Sequence, residues 1–284
     1  MRSVSSNSAI GVMVRRSAPG KAGDLALRVV SGLVLAPLAV LLVYLGAPYL
    51  DLLVLFLGAA MAWEWVRLCG EGELDPPGYA VIAAVGTALA AGALRHYSIA
   101  GWIIAAGAMA AAVLAARSSR QGSFWYALGT LYTALPCLAV IWLRESPQQG
   151  REIVLWLLFV VWATDIGAYV AGRTIGGPKM APRISPNKTW AGLAGGMACA
   201  GLVGAVAAWT LGGPGIALLA VVSILLAGVA QAGDLLESAL KRRFGAKDSS
   251  HLIPGHGGLL DRLDGLLAAS LVVWLMIWTR GASL

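Results

Sequence analysis

The sequence predicts an all-α, polytopic integral membrane protein with about nine transmembrane helices. Three observations predict it. Of 284 residues, 58% are hydrophobic and only 12% are charged, whereas a soluble domain has about 25% charged residues. The mean hydropathy is +0.77, so a soluble fold would lack the polar surface to cover itself. The apolar residues also fall into nine runs, each near the length of about 20 residues that crosses a bilayer.

The first 24 residues mix Ser, Gly and Arg without an apolar core and are expected to be a disordered cytoplasmic tail. Residues 25–284 are read as one transmembrane domain, with N-terminal helices over about 25–143 and a second half over about 152–284. The first run, 25–46, is too long for a cleaved signal peptide and has no convincing cleavage site. The second, 49–69, carries W-E-W-V-R near its end, where Glu64 is expected to pair with Arg67 at i+3, a site role being the less favoured reading. The third and fourth, 77–94 and 98–116, are rich in Ala and Gly, which suits close helix packing. His96 lies between them and reads as a loop residue. The fifth run is 124–143. The sixth, 152–172, ends in T-D-I-G-A-Y-V-A-G-R, and a loop leads through S-P-N-K-T to the seventh, 190–211. The eighth, 215–243, exceeds what the bilayer needs, so its charged end should protrude. The ninth, 259–279, opens with D-R-L-D. Cys69, Cys137 and Cys199 lack metal-type spacing and read as small apolar residues. The 11 tryptophans suit interfacial belts.

Lys and Arg set the orientation. With nine spans, the N-terminus and the even-to-odd loops share one side. Of the 21 Lys and Arg residues, all but Arg95, Arg144, Arg151 and Arg280 fall there, which makes that side cytoplasmic. This distribution of the +7 net charge argues for topology and phosphate binding rather than nucleic acid.

The densest chemistry lies in Asp234–Asp264, wedged between two apolar runs. Asp234, Glu237, Ser238 and Lys241 fall at i, i+3, i+4 and i+7, one face of a helix. An ionisable group inside an apolar run is costly and marks a site. Asp261 and Asp264, at i and i+3, again share a face. Carboxylates so close repel unless a cation intervenes, and Mg²⁺ commonly takes one or two carboxylates plus phosphate. Asp234, Asp261 and Asp264 are therefore read as a metal site, although Asp261 alone also fits a helix N-terminal acid. Between the helices, P-G-H-G-G brings His256, Gly257 and Gly258 to a helix N-terminus, where backbone amides can meet an anion. A tight interhelical turn is the other reading. Lys241, Arg242, Arg243 and Lys247 strengthen the phosphate reading, and the same run would contact anionic headgroups.

A second cluster lies earlier. Asp165, Tyr169 and Arg173 repeat at i, i+4 and i+8. Lys188, with Ser185 and Thr189, can bind phosphate as a point charge plus hydroxyl donors. Ser185–Pro186 also fits a turn that starts the seventh helix.

The 27 residues from Ser238 to Asp264 (S-A-L-K-R-R-F-G-A-K-D-S-S-H-L-I-P-G-H-G-G-L-L-D-R-L-D) resemble the signature of the phosphatidate cytidylyltransferases. D-I-G-A-Y-V-A-G-R at 165–173 and S-P-N-K-T-W-A-G at 185–192 are similar to that family's second conserved region. The likeness covers about the last 120 residues well, and the first half mainly in hydropathy. One departure is Ala191, where the family often has Glu, so no base is assigned in that loop.

The resemblance implies transfer of a cytidylyl group from CTP to phosphatidic acid, giving CDP-diacylglycerol and pyrophosphate. It implies a catalytic second half carrying Asp234, Asp261, Asp264, Lys241, Lys247 and Asp165. The substrates would meet Ser185, Lys188, Thr189, Ser238, Arg242, Asp248, His256, Gly257, Gly258 and Arg262. Mg²⁺ is the implied cofactor, with a second, monovalent cation such as K⁺ left open. A homodimer in a bacterial-type inner membrane, with its active site facing the cytoplasm, is implied as well. A CTP-dependent lipid-alcohol kinase is the nearest alternative. The CDP-alcohol phosphotransferases need D-G-x-x-A-R, and here Asp264-Gly265 is followed by Leu266-Leu267. A secondary transporter would carry its ionisable groups near midplane in broken helices of an internal repeat, whereas here they cluster at helix ends.

Overall fold

The computed structural model describes residues 21–70, 72–118, 122–146, 149–211, 215–250, 252 and 257–279, with side chains from residue 32 onward. Of the expected tail, residues 1–20 lie outside the described residues, as do Arg120, His256 and Arg280.

Each expected apolar run is one helix. They are α1 (Lys21–Leu45), α2 (Tyr49–Cys69), α3 (Pro76–Ala93), α4 (Tyr97–Arg117), α5 (Ser123–Arg144), α6 (Gly150–Thr174), α7 (Trp190–Leu211), α8 (Ile216–Arg243) and α9 (Leu260–Thr279). Seven of them, α2 to α8, are long and apolar enough to cross a membrane. Helix α9 carries Asp261, Arg262 and Asp264 in its opening turns, and the described apolar part of α1 is Gly32–Leu45. The chain is thus an all-α, multi-pass membrane protein by length and composition.

The loop expected between the sixth and seventh helices contains a small hairpin instead. β1 (Lys179–Ala181) pairs antiparallel with β2 (Ser185–Thr189), Lys179 facing Thr189 and Ala181 facing Ser185. Trp190 N–H continues the pairing to the Pro178 carbonyl at 3.1 Å. Pro186 is tolerated because a two-stranded ribbon has an open edge on each strand.

The helices form two groups. α2, α3, α4 and α5 pack on one another, while α6 packs on α7 and α7 on α8. α9 joins the groups by lying against α8, α5 and α6 and touching α2. Without a hydrophobic drive between helices in lipid, close backbone approach supplies the contact energy. Along α6 and α7, a Cβ on Gly195 would stand 2.3 Å from the Ala171 Cβ, and one on Gly167 would stand 2.7 Å from the Gly195 carbonyl oxygen. Around α2, the buried Trp65 covers Gly129, where an added Cβ would come within 2.2 Å of the indole.

Both ends of the bundle are pinned by polar contacts. At one end, Arg95 reaches Asp51 Oδ2 at 3.0 Å and Glu145 Oε1 at 2.9 Å. There too Arg144 donates to the Val43 carbonyl at 2.8 Å. Two of the cations assigned to the non-cytoplasmic side therefore tie helix ends together. At the other end, Asp75 caps α3 by accepting from Gly78 N–H at 2.9 Å and also accepts from the Tyr126 hydroxyl at 2.7 Å. Helix α8, at 28 residues, is about 42 Å long against a hydrocarbon thickness of about 30 Å. Its C-terminal turns therefore extend past the apolar slab.

Gly195→Leu should wedge α6 from α7. The expected destabilisation is about 1–3 kcal/mol, the usual cost of overpacking, seen as a lower melting temperature in detergent. Gly86→Leu, where nothing lies within 4 Å of an added Cβ, should leave it unchanged.

Candidate active site

Asp234, Glu237 and Asp264 each offer a carboxylate oxygen, and these atoms all lie within 4.8 Å of one another. Helical periodicity in α8 brings Asp234 and Glu237 to one face, and α9 supplies Asp264 across the contact. Backbones can meet closely there because a Cβ on Gly233 would stand 2.6 Å from Ala268 Cβ and 2.9 Å from the Asp264 carbonyl oxygen. Glu237 is only 3% exposed, and neither of its carboxylate oxygens accepts a well-formed hydrogen bond, although Lys241 Nζ lies 2.8 Å from Oε2. Three carboxylates gathered at one point, the oxygens of Glu237 without a well-formed hydrogen bond, are the donor set of a hard divalent cation. The residues present therefore fit a metal such as Mg²⁺.

The expected trio was Asp234, Asp261 and Asp264. The structure groups Glu237 with Asp234 and Asp264 and engages Asp261 elsewhere. Asp261 pairs with Lys241, and it accepts from Gly258 N–H at 2.9 Å and Ser249 N–H at 3.0 Å. It acts as the N-terminal acid of α9, the other reading its position allowed. Lys241, expected to face phosphate, bridges Glu237 and Asp261 and is largely buried.

The second cluster joins the first. Lys188 in β2 pairs with Asp234 Oδ2 and donates to Gln231 Oε1 at 3.0 Å. Ser238 Oγ donates to Asp234 Oδ1 at 3.3 Å. Asp165, on α6, interacts electrostatically with Asp234, Lys188 and Arg262. Thr189 is buried and its Oγ1 accepts from Gly192 N–H at 3.0 Å, so it caps α7 and fixes the strand that carries Lys188. Tyr169 accepts from Arg173 at 2.9 Å on the exposed side of α6. Arg242, Lys247, Asp248 and Arg262 are exposed at the rim, and Ser185 is half-buried in β2. Arg242 donates to the Ala246 carbonyl at 3.1 Å. His256 lies outside the described residues.

The glycine turn is built differently from the anion cradle expected of it. Gly258 N–H goes to Asp261, while Leu259 N–H and Leu260 N–H go to Glu64. The amides at the start of α9 thus meet carboxylates of this chain. Gly257 takes φ +84°, the left-handed region that glycine enters at no steric cost.

Glu64 is the residue that sequence reading placed elsewhere. Arg67, its expected partner, donates to the Gly72 carbonyl at 3.2 Å and lies over the Trp63 ring. The signal that could have found Glu64 is a carboxylate in an apolar run, the same signal that marked Asp165 and Asp234.

A bundle of apolar helices with a carboxylate trio beside Lys188 and Lys241 near one helix end is a multi-pass membrane protein with a candidate metal site. The comparisons with known proteins narrow the class. The cytidylyltransferase family description matches residues 26–280. A phosphatidate cytidylyltransferase of Brucella suis biovar 1 (strain 1330) is 38% identical over 257 residues, covering 89% of this chain and 93% of that protein. One from Pseudomonas aeruginosa is 35% identical over 272 residues, covering 89% and 97%. One from Rickettsia conorii is 28% identical over 260 residues, covering 88% and 90%. The chain belongs to the cytidylyltransferase family.

Thr189→Ala should remove the α7 cap and cost about 1 kcal/mol, read as a lower melting temperature in detergent, while Thr189→Ser retains the acceptor and most of the stability.

Proposed function

We infer that this protein is a nucleotidyltransferase that moves the cytidylyl group of CTP onto phosphatidate, forming CDP-diacylglycerol and releasing pyrophosphate. The observation that carries this reading is a family match that spans the whole bundle and contains the carboxylate trio. Nothing in the site favours the kinase or transporter alternatives.

A phosphate oxygen of the lipid attacks the α-phosphorus of CTP. The bond from that phosphorus to the bridging oxygen of the β-phosphate breaks, and pyrophosphate leaves with the electron pair. The nucleophile is already anionic, so the step needs no general base, which accords with Ala191 offering none in that loop. Catalysis then consists of positioning and charge neutralisation. Asp234, Glu237 and Asp264 would hold a divalent cation, Mg²⁺ by its preference for oxygen ligands and phosphate. When bound, it would offset the charge that builds on the phosphate oxygens.

The chain's own residues do the rest. Lys188 has three N–H groups and spends contacts on Asp234 and Gln231, so it stands beside the trio with a donor to offer phosphate. Arg262, Lys247 and Arg242 supply rim charge, and Ser185 a hydroxyl. Asp248 lies beside the Gly257 turn. Lys241 keeps Asp261 and Glu237 from repelling each other and so holds the trio's shape. Asp165 balances Lys188 and Arg262 from the α6 side. Gly257 and Gly258 shape the turn.

The active site would face the cytoplasm, where CTP is, since most Lys and Arg fall on that side. The bacterial relatives make the inner membrane the expected location. The acyl chains would enter sideways from the bilayer. The homodimer rests on family resemblance alone and is checked by mass in detergent.

Purified protein should form CDP-diacylglycerol and pyrophosphate in equal amounts from CTP and phosphatidate, and lose turnover in EDTA. Asp234→Asn, Glu237→Gln and Asp264→Asn should each lower kcat by about 10²–10³-fold, the scale of losing one electrostatic stabiliser. They should also abolish the Mg²⁺-induced rise in melting temperature. CDP release without CDP-diacylglycerol would point to a kinase, and wild-type turnover by Asp264→Asn would remove the metal assignment.

A further inference from the structure

The half of the molecule without a signature motif sends one carboxylate into the active-site turn. Glu64, on α2, is 0% exposed. Its Oε1 accepts from Leu259 N–H at 2.8 Å and from Ser250 Oγ. Its Oε2 accepts from Leu260 N–H at 2.8 Å, and Ser249 Oγ lies 3.2 Å away. Both oxygens are therefore saturated by the segment that joins α8 to α9. Each of these contacts spans at least 185 positions of sequence.

The first N–H groups of a helix have no partner within it. At α9 two consecutive amides converge on one carboxylate, a site that would otherwise accept an anion. Gly258 supplies an independent observation. A Cβ there would lie 2.7 Å from Glu64 Oε1 and 1.9 Å from Ser249 Oγ. The turn thus has a glycine where the Glu64 carboxylate needs the room. Ser249 Oγ also lies 3.1 Å from Asp261 Oδ2, so the contact continues to Asp261, then to Lys241 and Glu237 of the trio.

We propose that Glu64 is a positioning residue for cytidylyl transfer. Its carboxylate takes the place of an anion at the N-terminus of α9 and fixes that helix's start. That sets where Asp264 stands against Asp234 and Glu237, and how Asp261 meets Lys241. The role rests on the trio being the reacting centre, and the described contacts of Glu64 are with Ser249, Ser250, Leu259 and Leu260, outside the trio. A charged acceptor is required because three donors converge on it, Leu259 N–H, Leu260 N–H and the Ser250 hydroxyl, with the single Ser249 proton shared between Glu64 and Asp261. An amide at this position would turn an N–H toward at least one of them.

The test compares Glu64→Ala, Glu64→Gln, Glu64→Asp and Ser250→Ala in detergent, reading turnover, melting temperature and backbone hydrogen exchange. Glu64→Ala and Glu64→Gln should lower kcat on the order of 10²-fold, the cost of misplacing reacting groups by about 1 Å. KM for CTP should change less than about twofold, since a group acting through position spares ground-state binding. Exchange should rise in the peptide covering 249–265 and not in α3 or α4. Glu64→Asp keeps the charge and should recover part of kcat. Ser250→Ala, losing one of the three unshared donors, should have a smaller effect and serves if Glu64→Ala fails to fold. Wild-type kcat in Glu64→Gln, or faster exchange throughout the bundle with a matching fall in melting temperature, would overturn the proposal. Asp264→Asn is run beside them. If it alone keeps wild-type turnover, the trio reading fails, while the Glu64 exchange pattern is still scored on its own.

Discussion

The constraint on which the candidate site depends is negative charge gathered where α8 meets α9 and only partly offset by Lys188 and Lys241. Three carboxylates within 4.8 Å would repel strongly in a low dielectric. They are held together by covalent placement on two helices, by two lysines and by the close approach of α8 to α9. Lys188 comes from a hairpin and Lys241 from α8 itself. The repulsion left over is what a cation would relieve, so the strain of the assembly and its binding capacity are one property.

The surrounding fold reads as the means of holding that arrangement. Helix α8 is long enough for its charged turns to leave the hydrocarbon while its apolar turns stay inside. Helix α9 begins beside those turns, so Asp264 meets Asp234 and Glu237. The Thr189 cap fixes the strand that carries Lys188. Small residues let α6, α7 and α8 pack without bulky side chains, which leaves the α6 surface bearing Asp165 beside the site. The other end of the bundle carries its own pins, Arg95 and Arg144, which close helix ends and leave the chemistry at one surface.

Some residues expected to touch phosphate serve the scaffold. Lys241 is spent on Glu237 and Asp261, and the amides of the glycine turn are spent on Asp261 and Glu64. This is a common economy in apolar surroundings: a buried polar group must be matched inside the protein, so strong donors near a metal-type site are matched among themselves. Arg242, Lys247 and Arg262, by contrast, are exposed at the rim.

The sequence alone determined the fold class, the nine helices and one face of the site. Apolar runs of bilayer length are a local property of the chain, and helical spacing places Asp234, Glu237 and Lys241 together without any knowledge of neighbours. The signature around Ser238–Asp264 made the chemistry legible for the same reason, since its residues are close in sequence. Tertiary structure decided which carboxylates converge. Asp261 and Asp264 share a helix, yet only Asp264 joins the trio, because Lys241, Ser249 and Gly258 reach Asp261 first. The short β1–β2 pairing and the Glu64 contact were equally hidden. A strand of three residues carries little periodic signal, and a partner 195 positions away carries none, because long-range pairing is set by how the helices dock.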